Sequence, residues 1–291
     1  MHKKWALFFI IYSLSAFMIF TYILFPNQML EKKIKRTISQ NFPGEVLIKD
    51  ISFKLPANLK MKRLELTFSN ASKGNKPLSI NIDEIKAAPD FLKILKGMIR
   101  IRGELLIGDA TVKANIDQNL FGSPVRYLTG SIKNISIQDF PFLSQQLGMH
   151  VTGLIEAEIE AEWPGKDILK SDGTWSFDIE RGRVIPKQFP AFSFDTIHGR
   201  GLIKEENIYI NRIEIQGEDL SLTATGKVRL APQIKDFFVD TQVGLKVLPR
   251  LRQRLGGFAN LLPKPDNSGF INIFLSGPPG ELRFSSQKRK N

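Results

Sequence analysis

The stretch LSLTATGKVRL, residues 220–230, alternates without a break. Leu220, Leu222, Ala224, Gly226, Val228 and Leu230 fall on one side, and Ser221, Thr223, Thr225, Lys227 and Arg229 on the other. A period of two sustained over this length marks a β-strand with one face buried and one face wet. The pattern recurs through the chain. Leu64, Leu66 and Phe68 alternate with Arg63, Glu65 and Thr67, and Trp175, Phe177 and Ile179 alternate with Thr174, Ser176 and Asp178. The same reading predicts strands at 46–54, 78–87, 110–116, 130–137, 154–163, 202–215, 237–247 and 269–275.

Glycine and proline punctuate these runs at Trp163-Pro164-Gly165, Gly199-Arg200-Gly201 and Pro278-Pro279-Gly280. Gly199-Arg200-Gly201 is half of a dinucleotide-binding fingerprint, but its place between strands reads as a turn. Three short helical signals interrupt the strands. Asp90 caps 91–96 ahead of Gly97, Pro141 opens 142–147 ahead of Gly148, and 248–262 is broken at Gly256-Gly257. None is long enough to cover a sheet of this size. The expected fold is therefore mainly β, with a large antiparallel sheet that buries its apolar face against itself. A closed barrel, a two-sheet sandwich and a rolled trough all satisfy that condition; the trough leaves a groove large enough for acyl chains and the sandwich does not.

Outward from the strands, the N-terminus changes character. Residues 5–25, WALFFIIYSLSAFMIFTYILF, carry no charge and no proline. At 1.5 Å per residue the run spans about 30 Å, the thickness of a bilayer's hydrocarbon core. It is too long for the apolar region of a cleaved signal peptide, and its small-residue cluster Ser13-Leu14-Ser15-Ala16 lies mid-run. The expectation is a transmembrane helix bounded by Trp5 and Phe25. Basic residues flank both ends, so orientation follows from the short tail before the span and the long domain after it. That places the C-terminal body outside the cytoplasm. After Pro26, Leu30, Ile34 and Ile38 line one side of a predicted helix, and Lys32, Lys33, Lys35 and Arg36 occupy the others. Such a helix suits the headgroup region, with these four residues touching lipid phosphate, and it equally suits a plug at one end of the following domain. The domain plan is then residues 1–25, tail and anchor; 26–42, basic amphipathic helix; 43–284, a β-rich domain whose two subdomains would meet near 140–150; and 285–291, a basic disordered tail.

The net charge of +12 is unevenly spread. It is +5 over residues 1–36, +5 over 37–149, −1 over 150–284 and +3 in the tail, which contains Lys288-Arg289-Lys290. This is the layout expected beside anionic phospholipid rather than nucleic acid. The chain has no cysteine, which excludes disulfides, thiolate metal sites and a thiol nucleophile. His2, His150 and His198 are scattered without ligand spacing, and no phosphate loop or nucleophile elbow is present. No catalytic residue, metal ligand or cofactor is predicted, and the protein reads as a non-enzyme. Glu156, Glu158, Glu160 and Glu162 form a carboxylate ladder opposite Ile155, Ala157, Ile159 and Ala161, read as a solvated strand face. Arg250, Arg252 and Arg254 could meet lipid phosphate or an acidic partner, or could line a plain solvated helix. The apolar face built from Leu64, Leu66, Phe68, Trp175, Phe177, Ile179, Leu220, Leu222 and Val228 is the candidate lipid groove.

Three stretches carry a resemblance: SINIDEIKAAPDFLKILKGMIRIRGELLIGDATVKANI (79–116), FDTIHGRGLIKEENIYINRIEIQGEDLSLTATGKVRLAP (194–232) and NSGFINIFLSGPPGELRF (267–284). With the anchor and basic helix they resemble the AsmA-like β-rich envelope proteins, and within them the type II secretion system protein N family. The resemblance implies a bacterial inner-membrane protein with a periplasmic domain, a non-enzymatic component of the machine that exports folded proteins. Its partners would be the inner membrane and other secretion-system subunits. The wider group implies the alternative, a rolled β-trough that binds or transfers phospholipid for outer-membrane maintenance. The family supplies no catalytic motif.

Overall fold

The computed structural model describes residues 12–13, 27–41, 44–54, 58–68, 78–121, 125–139, 149–165, 167–186, 190–232, 236–279 and 281–286. Among these, 69% are strand, far more than three short helices could cover. The expected anchor at 5–25, apart from residues 12–13, the short helix at 142–147 and the tail beyond 286 lie outside the described residues, as does most of 140–150. Among the described residues no helix is long and apolar enough to cross a membrane.

The chain divides into two compact units, residues 1–89 and 90–291. The first opens with α1 (Asn27–Asn41), the basic helix read from the sequence, which packs against β1. β1 (Gly44–Lys54), β2 (Asn58–Phe68) and β3 (Leu78–Pro89) then form an antiparallel meander. Its core is Ile48, Met61, Leu64, Ile80 and Ile82, all buried. Met61 and Leu64 are three residues apart, an odd separation that strict alternation would send to opposite faces. Between them Arg63 adopts φ +53°, interrupting the pleat, and its guanidinium reaches Asp50 at 2.7 Å.

The second unit begins with α2 (Phe91–Ile94), capped as expected by Asp90, whose side chain accepts from the Leu92 N–H. Eleven strands follow, each antiparallel to its chain neighbour: β4 (Met98–Ile107), β5 (Ala110–Asn119), β6 (Val125–Ser136), β7 (Met149–Pro164), β8 (Ser171–Pro186), β9 (Phe192–Glu205), β10 (Asn207–Gln216), β11 (Leu220–Arg229), β12 (Phe238–Val247), β13 (Ile271–Gly277) and β14 (Arg283–Ser285). Among the described residues no ladder returns from β14 to β4. α3 (Pro249–Leu255) and a 3-10 turn (Gly256–Leu261) separate β12 from β13. The helix stops at Gly256, whose φ of +52° suits glycine, as the Gly-Gly pair predicts.

Two readings are corrected here. The run 202–215 is not one strand. β9 ends at Glu205 and β10 starts at Asn207, with Lys204 opposite Asn207. Glu205 turns the chain at φ +53° with no glycine or proline to announce it, and Asn207, which closes the turn, is the one turn-type residue there. Gly199-Arg200-Gly201 is not a turn either; it lies inside β9, paired on both sides.

Candidate functional site

Residues directly opposite in an antiparallel ladder share a face, so the register fixes what lines each side of the second unit's sheet. On one side three apolar rows run across the strands. The first is Ile135, Ile155, Ile179, Ile197, Ile215, Leu222, Leu245 and Ile271, from β6 to β13. The second is Leu105, Val112, Ile132, Ala157, Phe177, Gly199, Ile213, Ala224, Val243 and Ile273, from β4 to β13. The third is Gly103, Ala114, Gly130, Ile159, Trp175, Gly201, Ile210, Gly226, Thr241, Leu275 and Phe284, from β4 to β14. No charged side chain enters any row.

Glycine shapes this floor. A Cβ at Gly199 would stand 2.2 Å from the Phe177 ring, and one at Gly201 would stand 2.6 Å from the Trp175 indole. The two rings lie over the neighbouring strand's glycines and stack on each other, centroids 5.8 Å apart and planes 10° off parallel. Phe194 lies over Gly182 in the same manner and is 3% exposed. Large aromatic area is thereby laid along the sheet. Most floor side chains are half-buried, and among the described residues no large side chain is fully buried. A sandwich core, packed at the density of protein interiors, would contain such residues.

The sequence-derived groove residues sort accordingly. Trp175, Phe177 and Ile179 of β8 share the floor with Leu222 and Val228 of β11, and Leu220 starts that strand, buried opposite Val247. Leu64 and Leu66 belong to the first unit, buried and half-buried respectively, and Phe68 ends β2 there. Lys32, Lys33 and Arg36 are exposed on α1, and Lys35 is half-buried. Trp5 and Phe25 lie outside the described residues. Sequence reasoning read 79–116 as a strand, a short helix and two strands, but named no floor residue on β4 and missed the roles of Gly199 and Gly201. Alternation in 98–107 could have given the former; the latter need the register.

The opposite side is polar. Glu156, Glu158, Glu160 and Glu162 are all exposed there while Ile155, Ala157, Ile159 and Ala161 are half-buried, as the ladder predicts. β7 is an interior strand, paired with β6 and β8. His198 of β9 pairs through Nδ1 with Asp178 of β8. On β4, Arg100 donates to Asp117, 2.6 Å from Nε to Oδ1, and this carboxylate raises the guanidinium's pKa further. No group of three His, Asp or Glu side chains among the described residues could hold a metal.

Two of the three α3 arginines are committed internally. Arg250 pairs with Glu218, and Arg254 reaches buried Asp219 at 2.5 Å and donates to the Ala191 carbonyl at 2.6 Å. Asp219 also accepts the Ser193 N–H at 2.9 Å. The cluster ties α3 to the turn after β10 and the start of β9, while Arg252 is exposed.

Fold and site together define a mainly β protein whose antiparallel sheet presents a continuous apolar floor. No protein-family model, no curated protein and no solved structure matches the chain.

Proposed function

We propose that the protein holds acyl chains of phospholipid on the apolar floor of its second unit. The observation that carries the reading is the set of three uncharged cross-strand rows, half-buried and with no fully buried core above them. At about 4.8 Å between strands, eleven strands give a floor contour of about 48 Å. One leaflet of a bilayer core is about 15 Å deep, so the floor exceeds a single acyl chain several-fold. The rolled trough implied by the AsmA-like resemblance would shelter such chains, and a membrane anchor at 5–25 would keep the unit beside its lipid source in the bacterial inner membrane, with the floor in the periplasm.

The test is photo-crosslinking in intact cells. A benzophenone amino acid replaces Phe177 on the floor or Glu158 on the polar side of the full-length chain. Phospholipid adducts at 177 and none at 158 are expected. Equal yields at both positions, or none at 177, would overturn the proposal.

A second reading is the non-enzymatic role in type II secretion that the family resemblance implies. What supports it is that 194–232 forms β9–β11 and 267–284 forms β13–β14, the strand pairs on which the resemblance rests. In-cell cross-linking and purification through a C-terminal tag should then recover secretion-system subunits. Their absence from cells that express the machine would leave the lipid reading alone.

A further inference from the structure

Independent of the apolar floor, the second unit carries a cavity of about 260 Å³ on the polar side of its sheet. Thr223 and Thr225 of β11, Gln242 of β12 and Asn272 of β13 form its walls, with Ser268 and Phe270 from the loop before β13. Gly244 lies between Thr223 and Asn272 in the ladder, so the centre of the cavity floor has no side chain. A Cβ there would stand 3.1 Å from Thr223 Oγ1 and 3.4 Å from Phe270 Cδ1.

The loop is held by one carboxylate. Asp266 Oδ1 accepts from the Ser268 N–H at 2.9 Å, the Ser268 hydroxyl at 2.5 Å and the Phe270 N–H at 3.0 Å. Its Oδ2 accepts from Asn272 Nδ2 at 2.8 Å. All four bonds run to Ser268, Phe270 and Asn272, so Asp266, itself at the edge of the cavity, organises the loop. No Lys or Arg lines the cavity; the nearby Lys246 ammonium sits 5.8 Å from the Phe270 ring centroid. The lining thus offers no cation to balance an anion, and its one carboxylate falls short of the three-ligand group that would hold a metal among the described residues. Apart from Asp266, the lining is neutral. The Gln242 amide and the Thr223 and Thr225 hydroxyls have no side-chain hydrogen-bond partner among the described residues, and they sit beside an aromatic ring.

We propose that this cavity binds one pyranose ring of a neutral glycan. Sugar hydroxyls donate and accept at once, as do amide and hydroxyl side chains, and the C–H face of a pyranose suits the Phe270 ring. The volume falls just below the lower end of pockets for drug-sized ligands, about 300 Å³, a scale that suits one ring.

The full-length chain in lipid nanodiscs, free of sugar detergents, is titrated with methyl β-glucopyranoside and read by saturation-transfer NMR. Transfer to the ring protons at millimolar sugar is expected. Gln242→Ala, which alters an exposed side chain, should weaken binding about tenfold through one lost hydrogen-bonding group. Gly244→Val fills the cavity floor and should abolish the signal. The proposal is overturned if the unaltered chain gives no transfer. It is equally overturned if Gln242→Ala binds as well as the parent, or if inorganic phosphate or calcium displaces the sugar.

Discussion

Replacing Gly199 by alanine tests whether the aromatic rings lie along the sheet. The new Cβ would meet Phe177 at 2.2 Å, and all three nearest atoms belong to that ring, none to backbone. The ring must retreat by about 1.2 Å to reach ordinary contact at 3.4 Å, and it can move only away from β9, into the space above the floor. Overpacking of this kind costs about 1–3 kcal/mol. Disrupting the Trp175–Phe177 stack adds about 0.5–1.5 kcal/mol. Removing a glycine from the unfolded chain returns about 0.4–1 kcal/mol. The net expectation is about 2 kcal/mol of destabilisation, measured as a shift in the urea midpoint by tryptophan fluorescence. In a Phe177→Ala background the obstacle is gone, and the same substitution should be neutral or slightly stabilising. The double-mutant cycle should therefore show coupling of about 2 kcal/mol. Equal costs in both backgrounds would refute the ring-on-glycine packing, and with it the flat floor.

Three further outcomes follow from local geometry. Asp219→Ala strips the partners from Arg254 and the Ser193 N–H around a carboxylate that is 3% exposed, and should cost about 2–3 kcal/mol while raising amide exchange in Pro249–Leu255. Glu205→Gly removes a non-glycine residue from φ +53° and should raise the unfolding midpoint by about 1 kcal/mol equivalent; a lower midpoint would show that the turn is not strained. Hydrogen bonds from Ser268 and the Phe270 N–H hold Asp266 below the usual carboxylate range, and those from Lys60 and Lys86 do the same for Glu84. Depressed folded-state values give stability that is present above the unfolded carboxylate pKa, about 4, and lost as pH falls through the lower folded values. The unfolding midpoint should thus be flat near neutrality and fall in acid, and Asp266→Asn should make that fall shallower.

What the sequence made legible follows from where each signal lives. β11 was readable to a residue at its ends because alternation is local, and so was the Asp90 cap, whose partner is two residues away. The turn at Glu205 was hidden because it holds no glycine or proline, a lone Asn207 is a weak signal, and the flanking Ile203, Ile208 and Ile210 read as one apolar run. Gly199 and Gly201 were misread for the opposite reason. A glycine pair is the strongest local turn signal, whereas the cause of these two is a cross-strand contact with Phe177 and Trp175. The groove residues on β8 and β11 were found from sequence, but that they share rows through β9 and β10 depends on two register shifts in β10. The cavity around Gln242 is built from three strands and a loop and has no contiguous signature at all.

The chain-order pairing of β4 to β14 also sets how the second unit comes apart. Each strand leans on two neighbours only, so its energetics resemble a linear array of coupled links rather than a globule with a common core. Contacts that are near in sequence favour rapid zippering, hairpin after hairpin. Cohesion is greatest where sixteen-residue β7 and β8 pair and least at three-residue β14. Amide exchange should therefore grade from a slow middle to a fast C-terminal margin. The end of the sheet nearest that margin is the part that opens first, while the aromatic centre stays shut.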